Sequence, residues 1–590
     1  MRLLGATIAL AFGALAVAPP AAPAATPIPQ DPAGLAAPAP FVGSVAVPRR
    51  VSAPPVPGHP FMAPNGRSNI HDDAWMTDTY TWSGPLGRGI GVRSASFNFP
   101  GFELCGGTVA FDRRGRLETI CIASDNRVTL RLLDPDSLDR LASYALPPRR
   151  LRPGANPFQD FSGGGYFYLD RRDRAVVPTN DLHLYVLAQR PGGGFARVED
   201  YDLSSTVSAD DRIGSALPDR RGRIWFVSRF GGVVGVVDRR SGRVRAMQLG
   251  EAIGNSFAVD PRSGVYVATD AAMYRFGARR DGVPRVVWRK RYRNIGIAKP
   301  GQVDAGTGTT PTLMGRRYVA IADNADPMNV VVYRRAKRVR GSRLVCEQAV
   351  FKRGASATEN SLIGTRRSLI VENNFGYQGA ASTTGGLTTA PGIERVDVER
   401  DGRGCHAVWR SGETAPSVVP KLSLAAGLVY TYTKPPGLPD RWYLTTLSFR
   451  TGRTVYNRLV GTGNYFNNNY AGLAVSCRGE AYLGVLGGTV KLADSRRPTP
   501  PTRIRLKVSP NRATVGRATA FSFRATTRDA CGRRPVVRGA LIRLAGERVR
   551  TNGRGRARMV VRLRRAGRFT ARARKRGLLR GRASVSARPA

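Results

Sequence analysis

The chain has few of the residues on which metal and nucleophile chemistry depend. Histidine occurs four times and cysteine six times in 590 residues. There is no C-x-x-C pair, G-x-S-x-G elbow, H-E-x-x-H or G-x-x-x-x-G-K-[ST] loop. His59 and His71 precede the repeats described below, and His183 and His406 have no recognisable partner, so neither a histidine triad nor a zinc site is expected. Apolar residues at sustained helical spacing are also scarce. Short bursts of Val, Ile, Leu and Tyr recur instead, punctuated by 67 Gly and 41 Pro, which excludes a helical bundle and points to an all-β fold. Beyond the N-terminus no run approaches ~18 apolar residues, so no transmembrane segment is expected.

Negative charge is the other shortage. Asp and Glu number 42 against 92 Lys and Arg, a net +50. Half of that excess sits after Pro501, where 27 basic residues face only Asp529 and Glu547. Such a balance suits an acidic partner. Nucleic acid is not expected, because the opening "MRLLGATIALAFGALAVAPPAAPAAT" has the basic start, short apolar run and small-residue site of a signal peptide, residues 1–25. The expected location is extracellular or envelope-associated, and the expected partner is an anionic cell-wall polymer or polysaccharide; a monomer is expected. Arginine-rich codon usage is an equally good source of the charge.

An oxidising compartment suits the six cysteines. Cys105 and Cys121 are spaced for adjacent strands of one hairpin, and Cys346 is paired with Cys405; unpaired buried thiols are the alternative. Cys477 and Cys531 are left unassigned.

Residues 26–76 are Ala- and Pro-rich and read as a solvated linker. From 77 to 494 a loose repeat of roughly 50 residues takes over. "ALPDRRGRIWFVSRFGGVVGVVDRRSGRVRAMQL", "NSFAVDPRSGVYVATDAAMYRFGARRDGVPRVVWRKRY", "TPTLMGRRYVAIADNADPMNVVVYRR" and "NSLIGTRRSLIVENNFGY" each give a short strand, a Gly- or Asp-containing turn and a returning strand. Each unit reads as a four-stranded antiparallel sheet that must stack on its neighbours, which describes a β-propeller of about eight blades, with seven as the alternative. A large aromatic late in the unit, at Trp288, Phe351 and Trp409, is placed to wedge between blades. The last unit lacks an outer strand, and the stretch 77–99 is expected to supply it and close the ring. "DSRRPTPPT" makes 495–502 a second linker, followed by a basic β-rich module over 503–590.

The units "DRRSGRV" and "DGVPRVVW", with the late aromatic, resemble the eight-bladed quinoprotein-like propellers and more distantly the six-bladed lactonase propellers. The quinoprotein resemblance implies an adjacent-cysteine disulfide beside the cofactor; no Cys-Cys pair exists here, so a quinone cofactor is not expected. The lactonase resemblance implies a divalent cation held by oxygen ligands at the channel mouth. The matching positions are Glu359, Asn360 and Asn255, with calcium the candidate ion. The run from "VVRGALIRLAG" through "TNGRGRA" to "GRFTARA" resembles bacterial immunoglobulin-like sandwich domains, which implies a spacer or adhesion module.

Aligning the units places Asn255, Thr310 and Asn360 where inner strands begin, with Glu359 alongside; the alternative is that such residues only bond the loop backbone. "TDAAMY", "DNADP" and "ENNFGY" close the second strands and place Asp270, Asp323 and Glu372 on a shared rim, or simply in turns. "GTGNYFNNNYAG", residues 461–472, combines Tyr and Asn as carbohydrate sites do, or is a loop between blades. The expected function is a non-catalytic binding or envelope protein, with an extracellular hydrolase or dehydrogenase as the alternative.

Overall fold

The computed structural model describes residues 25–32, 40–496 and 503–589. Apart from Ala25, the expected signal segment lies outside the described residues, as does most of the second linker. Among the described residues, no helix is long and apolar enough to cross a membrane.

Eight antiparallel sheets follow one another along the chain as blades 1 to 8. Blades 1 to 7 span 103–146, 168–202, 213–248, 258–291, 312–349, 363–411 and 421–462. Blade 8 combines three strands within 473–494 with Ile90–Ala95, which runs antiparallel to Gly488–Asp494 as the outermost strand. The ring is therefore closed by both ends of the repeat region, as expected from the missing outer strand. The fold is a β-propeller.

The repeated turn gives some of the arginine a structural role. Between the first two strands of blades 1, 2 and 3 the sequence reads D-R-R-x-R, beginning at Asp112, Asp170 and Asp219. In each, one carboxylate oxygen accepts the backbone N–H groups two and four residues on. The other oxygen pairs with the arginine at the fifth position, Arg116, Arg174 or Arg223. The aspartate so fixes a tight hairpin through its own side chain, and the arginine neutralises a carboxylate that is nearly fully buried. Here arginine is structural, not a sign of polyanion binding.

Large aromatics seal adjacent blades as anticipated. Trp288 of blade 4 lies 6.5 Å from Tyr333 of blade 5. Trp409 of blade 6 donates its indole N–H to Phe449 O of blade 7, 2.9 Å away. Phe351, just after blade 5, packs on Gly392 of blade 6 so closely that a Cβ there would clash. The disulfide Cys105–Cys121 ties the first two strands of blade 1, and Cys346–Cys405 ties the outer strands of blades 5 and 6. A third, Cys477–Cys531, joins the first hairpin of blade 8 to the C-terminal module.

The expected linker over 26–76 is corrected by the structure. Phe41–Gly43 pairs with the outer strand of blade 7, and Thr26 bridges to Ser96 beside blade 8. Residues 62–80 are almost entirely buried and cross one end of the ring. Carbonyls of Arg67, Ser68, Ala74, Trp75, Thr77, Asp78 and Tyr80 accept N–H groups from the turn ends of inner strands in blades 1, 2, 4, 5, 6 and 7. The backbone carbonyls of this segment satisfy the inward edges of those strands, which would otherwise be left without partners.

This plug carries buried charge. His71 Nδ1 lies 3.1 Å from the Asp78 carboxylate, Lys421 of blade 7 pairs with Asp78, and its Nζ stands 3.8 Å from Asp72. Lys421 and His71 pull Asp78 below the usual carboxylate range despite burial, whereas burial lifts Asp72 well above it and Asp73 to about 7.

The C-terminal module has a three-stranded and a five-stranded sheet. They enclose one core that includes Phe521, Phe523, Ile542, Val561 and Val585.

Removing one partner of a buried ion pair strands the other charge. Lys421→Met is expected to lower stability by about 3–5 kcal/mol in urea unfolding. Adding Asp78→Asn should recover more than half of the loss. A single-variant loss below about 1 kcal/mol would contradict an anchoring role for this pair.

Candidate functional site

The end of the channel opposite the plug is a cup. Every blade or its leading loop contributes to the wall: Gly107, Gly165, Gly214, Asn255, Val303, Asn360, Val419 and Tyr470, in chain order, with Ile70 of the plug beneath them. The cavity's own free volume is small, about 40 Å³, and it opens to solvent. The inner-strand register governs which side chains arrive there. Counting five residues back from the turn aspartates Asp112, Asp170, Asp219 and Asp260 gives Gly107, Gly165, Gly214 and Asn255, all on the wall. Blades 1 to 3 present glycine and leave room; blades 4 and 6 present amides.

Asn255 Oδ1 accepts the Tyr166 hydroxyl at 2.7 Å. Asn255 Nδ2, beside the Glu359 carboxyl group, and Asn360 Oδ1 are buried without a well-formed hydrogen bond. Asn360 Nδ2 donates to Val418 O at 2.5 Å. Glu359 faces the cavity and is half-buried by surface area, but protein packs densely behind it. That burial, reinforced by Asp304, pushes its carboxyl up to about 8; the N–H of Val303, 3.0 Å from Oε2, and Arg229 only partly oppose the shift. Arg229 donates to both oxygens of Asp304, at 3.0 and 3.2 Å. Phe161, Tyr166 and Tyr470 add aromatic surface.

Of the sequence candidates, Asn255, Glu359 and Asn360 meet at the cup. Thr310 lies buried just behind it, its N–H donating to Ser361 Oγ at 3.0 Å. Asp323 is elsewhere: Oδ1 accepts the N–H groups of Ala325 and Asn329, and Oδ2 accepts Asn329 Nδ2. It braces its own hairpin. Asp326 accepts the N–H of Gly354 and so ties this hairpin end to the loop after blade 5. Glu372 is buried between blades 6 and 7, where it accepts Thr431 Oγ1, and burial lifts it to about 8. Asp270 and Asp323 both act on the Tyr292 hydroxyl, whereas Glu372 is turned toward blade 7. Among the described residues, the one close trio of His, Cys, Asp or Glu ligating atoms is Glu103, Cys105 and Cys121, whose thiols are in a disulfide.

The cup is a poor cage for calcium, which takes six to eight oxygen ligands, several of them anionic. Glu359 is the one carboxylate among the described lining residues, Asn255 Oδ1 is occupied by Tyr166, and Arg229 brings positive charge.

The segment 461–472 divides its roles. Asn467 and Asn469 accept the Tyr377 hydroxyl, and Asn468 donates to Gly484 O. These bonds hold Asn469 and Tyr470 in left-handed backbone, φ 42° and 63°, a conformation that non-glycine residues rarely adopt. Tyr470 alone reaches the cup wall. Sequence reasoning missed Arg229, Tyr166 and the plug's Ile70. Tyr166 could have been found from "GGGYFYLD", where it stands one place after the wall position of blade 2.

Near the plug, Ser361 Oγ, His71 Nε2 and Asp78 stand in the order of a hydrolytic triad, with Ser361 3.5 Å from His71. Ser361 is not on the cup wall, its oxygen already accepts Thr310 N–H, and Asp78 is shared with Lys421. The trio ties plug to propeller.

Comparison with known proteins finds no matching family model. An uncharacterized protein of Archaeoglobus fulgidus is 27% identical over 371 residues, covering 56% of this chain and 70% of that protein. Among solved structures, the quinohemoprotein alcohol dehydrogenase of Comamonas testosteroni is 12% identical, covers 75% of this chain and 82% of its own, and has a TM-score of 0.48. The virginiamycin B lyase of Staphylococcus aureus is 9% identical, covers 55% and 93%, and has a TM-score of 0.34. None of these likenesses carries chemistry to the cup.

The raised carboxyl makes a pH signature. As pH climbs from about 4.5 to about 8 the unfolded chain releases the Glu359 proton while the folded protein keeps it, so folding is progressively penalised. Glu359→Gln removes that penalty. Its stability advantage over the wild type is expected to be near zero at pH 4.5 and to rise to a plateau on the order of 2 kcal/mol by pH 8 in urea unfolding. A pH-independent difference would refute the protonated state.

Proposed function

We propose that this is an exported, non-catalytic binding protein whose propeller takes a small polyhydroxylated ligand in the cup, and whose basic module contacts anionic surface polymers. The observation that carries the reading is the blind, eight-walled cup in which the amides of Asn255 and Asn360, with Asn360 Oδ1 buried and unsatisfied, stand beside the rings of Phe161, Tyr166 and Tyr470. Amides and a protonated carboxyl can both give and take hydrogen bonds from hydroxyls, and aromatic faces cover the apolar side of a sugar ring. Buried polar atoms left without partners in the free protein favour a ligand that supplies them. Three disulfides suit an oxidising compartment. The likeness of the C-terminal sequence to immunoglobulin-like modules supports a spacer that holds the propeller at a surface.

The enzyme alternative needs a nucleophile or base with access to the ligand. Ser162 and Glu359 both line the cup, but among the described residues no hydrogen bond joins Ser162 to a base, and Ser361 lies behind the wall.

A panel of mono- and oligosaccharides screened by calorimetry is expected to yield a ligand that leaves the protein unchanged. Asn360→Ala and Tyr470→Ala should each weaken it by about tenfold or more, equivalent to losing ~1.4 kcal/mol. Turnover of a bound saccharide or lactone would favour the enzyme alternative, and equal affinity in both variants would remove the cup from the account.

A further inference from the structure

The C-terminal module carries its positive charge in a pattern that composition does not reveal. In its five-stranded sheet, Glu547–Arg550, Leu541–Leu544, Gly567–Arg574 and Gly581–Arg588 are consecutive neighbours. Arg548 lies directly opposite Arg543, Arg543 opposite Arg572, and Arg572 opposite Arg582. Directly opposed residues share a face of the sheet, so four exposed arginines form one row across four strands. Ile542, Ala571 and Ala573, next to them in sequence, point the other way into the core.

Like charges directly opposed across strands are destabilising. Among the described residues, no ion pair joins any arginine of this module to a carboxylate, in contrast to the Asp–Arg turns of the propeller. The row thus imposes a repulsion that the protein itself does not relieve. Arg543, Arg548, Arg572 and Arg574 also line a shallow groove with Leu541 and Thr570. Thr570 pairs across the strands with the exposed Ser584, which sets hydroxyl groups beside the arginines.

We infer that this arginine row is the binding site for a linear polycarboxylate sugar polymer lying across the strands. The inference rests on the proposed polymer-binding role of the module and names its site and ligand chemistry. Neighbouring strands are ~4.8 Å apart, so the row repeats its charge at that pitch. Linked sugars that each bear a carboxylate offer a repeating anionic partner to such a row. A guanidinium takes a carboxylate through two parallel N–H bonds. The flanking hydroxyls and Leu541 suit sugar hydroxyls and ring faces.

The test uses the full chain with oligogalacturonate, its methyl ester, inorganic polyphosphate and single-stranded DNA as probes. The variants are Arg543→Ser with Arg572→Ser in the row, and Arg524→Ser with Arg556→Ser, an opposed exposed pair on the other sheet. Oligogalacturonate is expected to bind the wild type with strong salt dependence and the ester not to bind. The row variant should lose about tenfold or more in affinity with a shallower salt dependence, and the other variant less than about twofold. The row variant should also melt a few degrees higher, because it relieves repulsion; a lower melting point would overturn that part of the argument. Loss in the other variant with wild-type binding in the row variant overturns the row while leaving the module's role intact. Unchanged binding in both variants ends both. Binding of polyphosphate or DNA without oligogalacturonate overturns the carboxylate assignment.

Discussion

The inward edges of the inner strands impose the constraint on which this molecule depends. Eight sheets arranged radially leave a ring of backbone N–H and C=O groups around the axis, and buried groups of that kind must find partners. Residues 62–80 provide them at one end by laying their carbonyls along six of the eight blades. Lys421 and His71 hold that segment through Asp78. Because one end is filled, the other becomes a closed-bottomed cup instead of a through channel, with Ile70 of the plug as part of its base.

From that arrangement the chemistry of the cup follows. A site walled in by protein penalises charge, so the Glu359 carboxyl is pushed up to about 8 and Arg229 is matched by Asp304. The glycines of blades 1 to 3 leave space that the amides of Asn255, on the adjoining blade 4, and Asn360, on blade 6, address. The result is a surface of neutral donors and acceptors beside aromatic rings, suited to hydroxyls and poorly suited to a hard cation.

Much of the fold was legible in the sequence because a propeller repeats itself. The turn aspartates, the late aromatics Trp288 and Trp409 and the missing outer strand of blade 8 each recur or fail to recur at a fixed spacing, and alignment brought Asn255, Thr310 and Asn360 into one register. What does not repeat was not legible. The plug occurs once, and in sequence it reads as part of the Ala- and Pro-rich stretch that precedes it, although it is among the most buried polar segments of the chain. The acidic rim failed for a related reason: Asp270, Asp323 and Glu372 follow equivalent strands, but Asp323 closes a wide turn and Glu372 points between blades. The arginine row was hidden differently, since the charge count of the module was plain and only strand register shows which arginines oppose one another.

The central claim is that the ligand enters a cup closed at its far end by residues 62–80. Hydrogen–deuterium exchange with and without a saturating saccharide tests it most directly. The account predicts added protection at the wall loops around 161–166, 254–255, 359–360 and 469–471, together with slow exchange in 62–80 that the ligand leaves unchanged. Rapid exchange throughout 62–80 in the free protein, or protection confined to residues outside the cup, would contradict it.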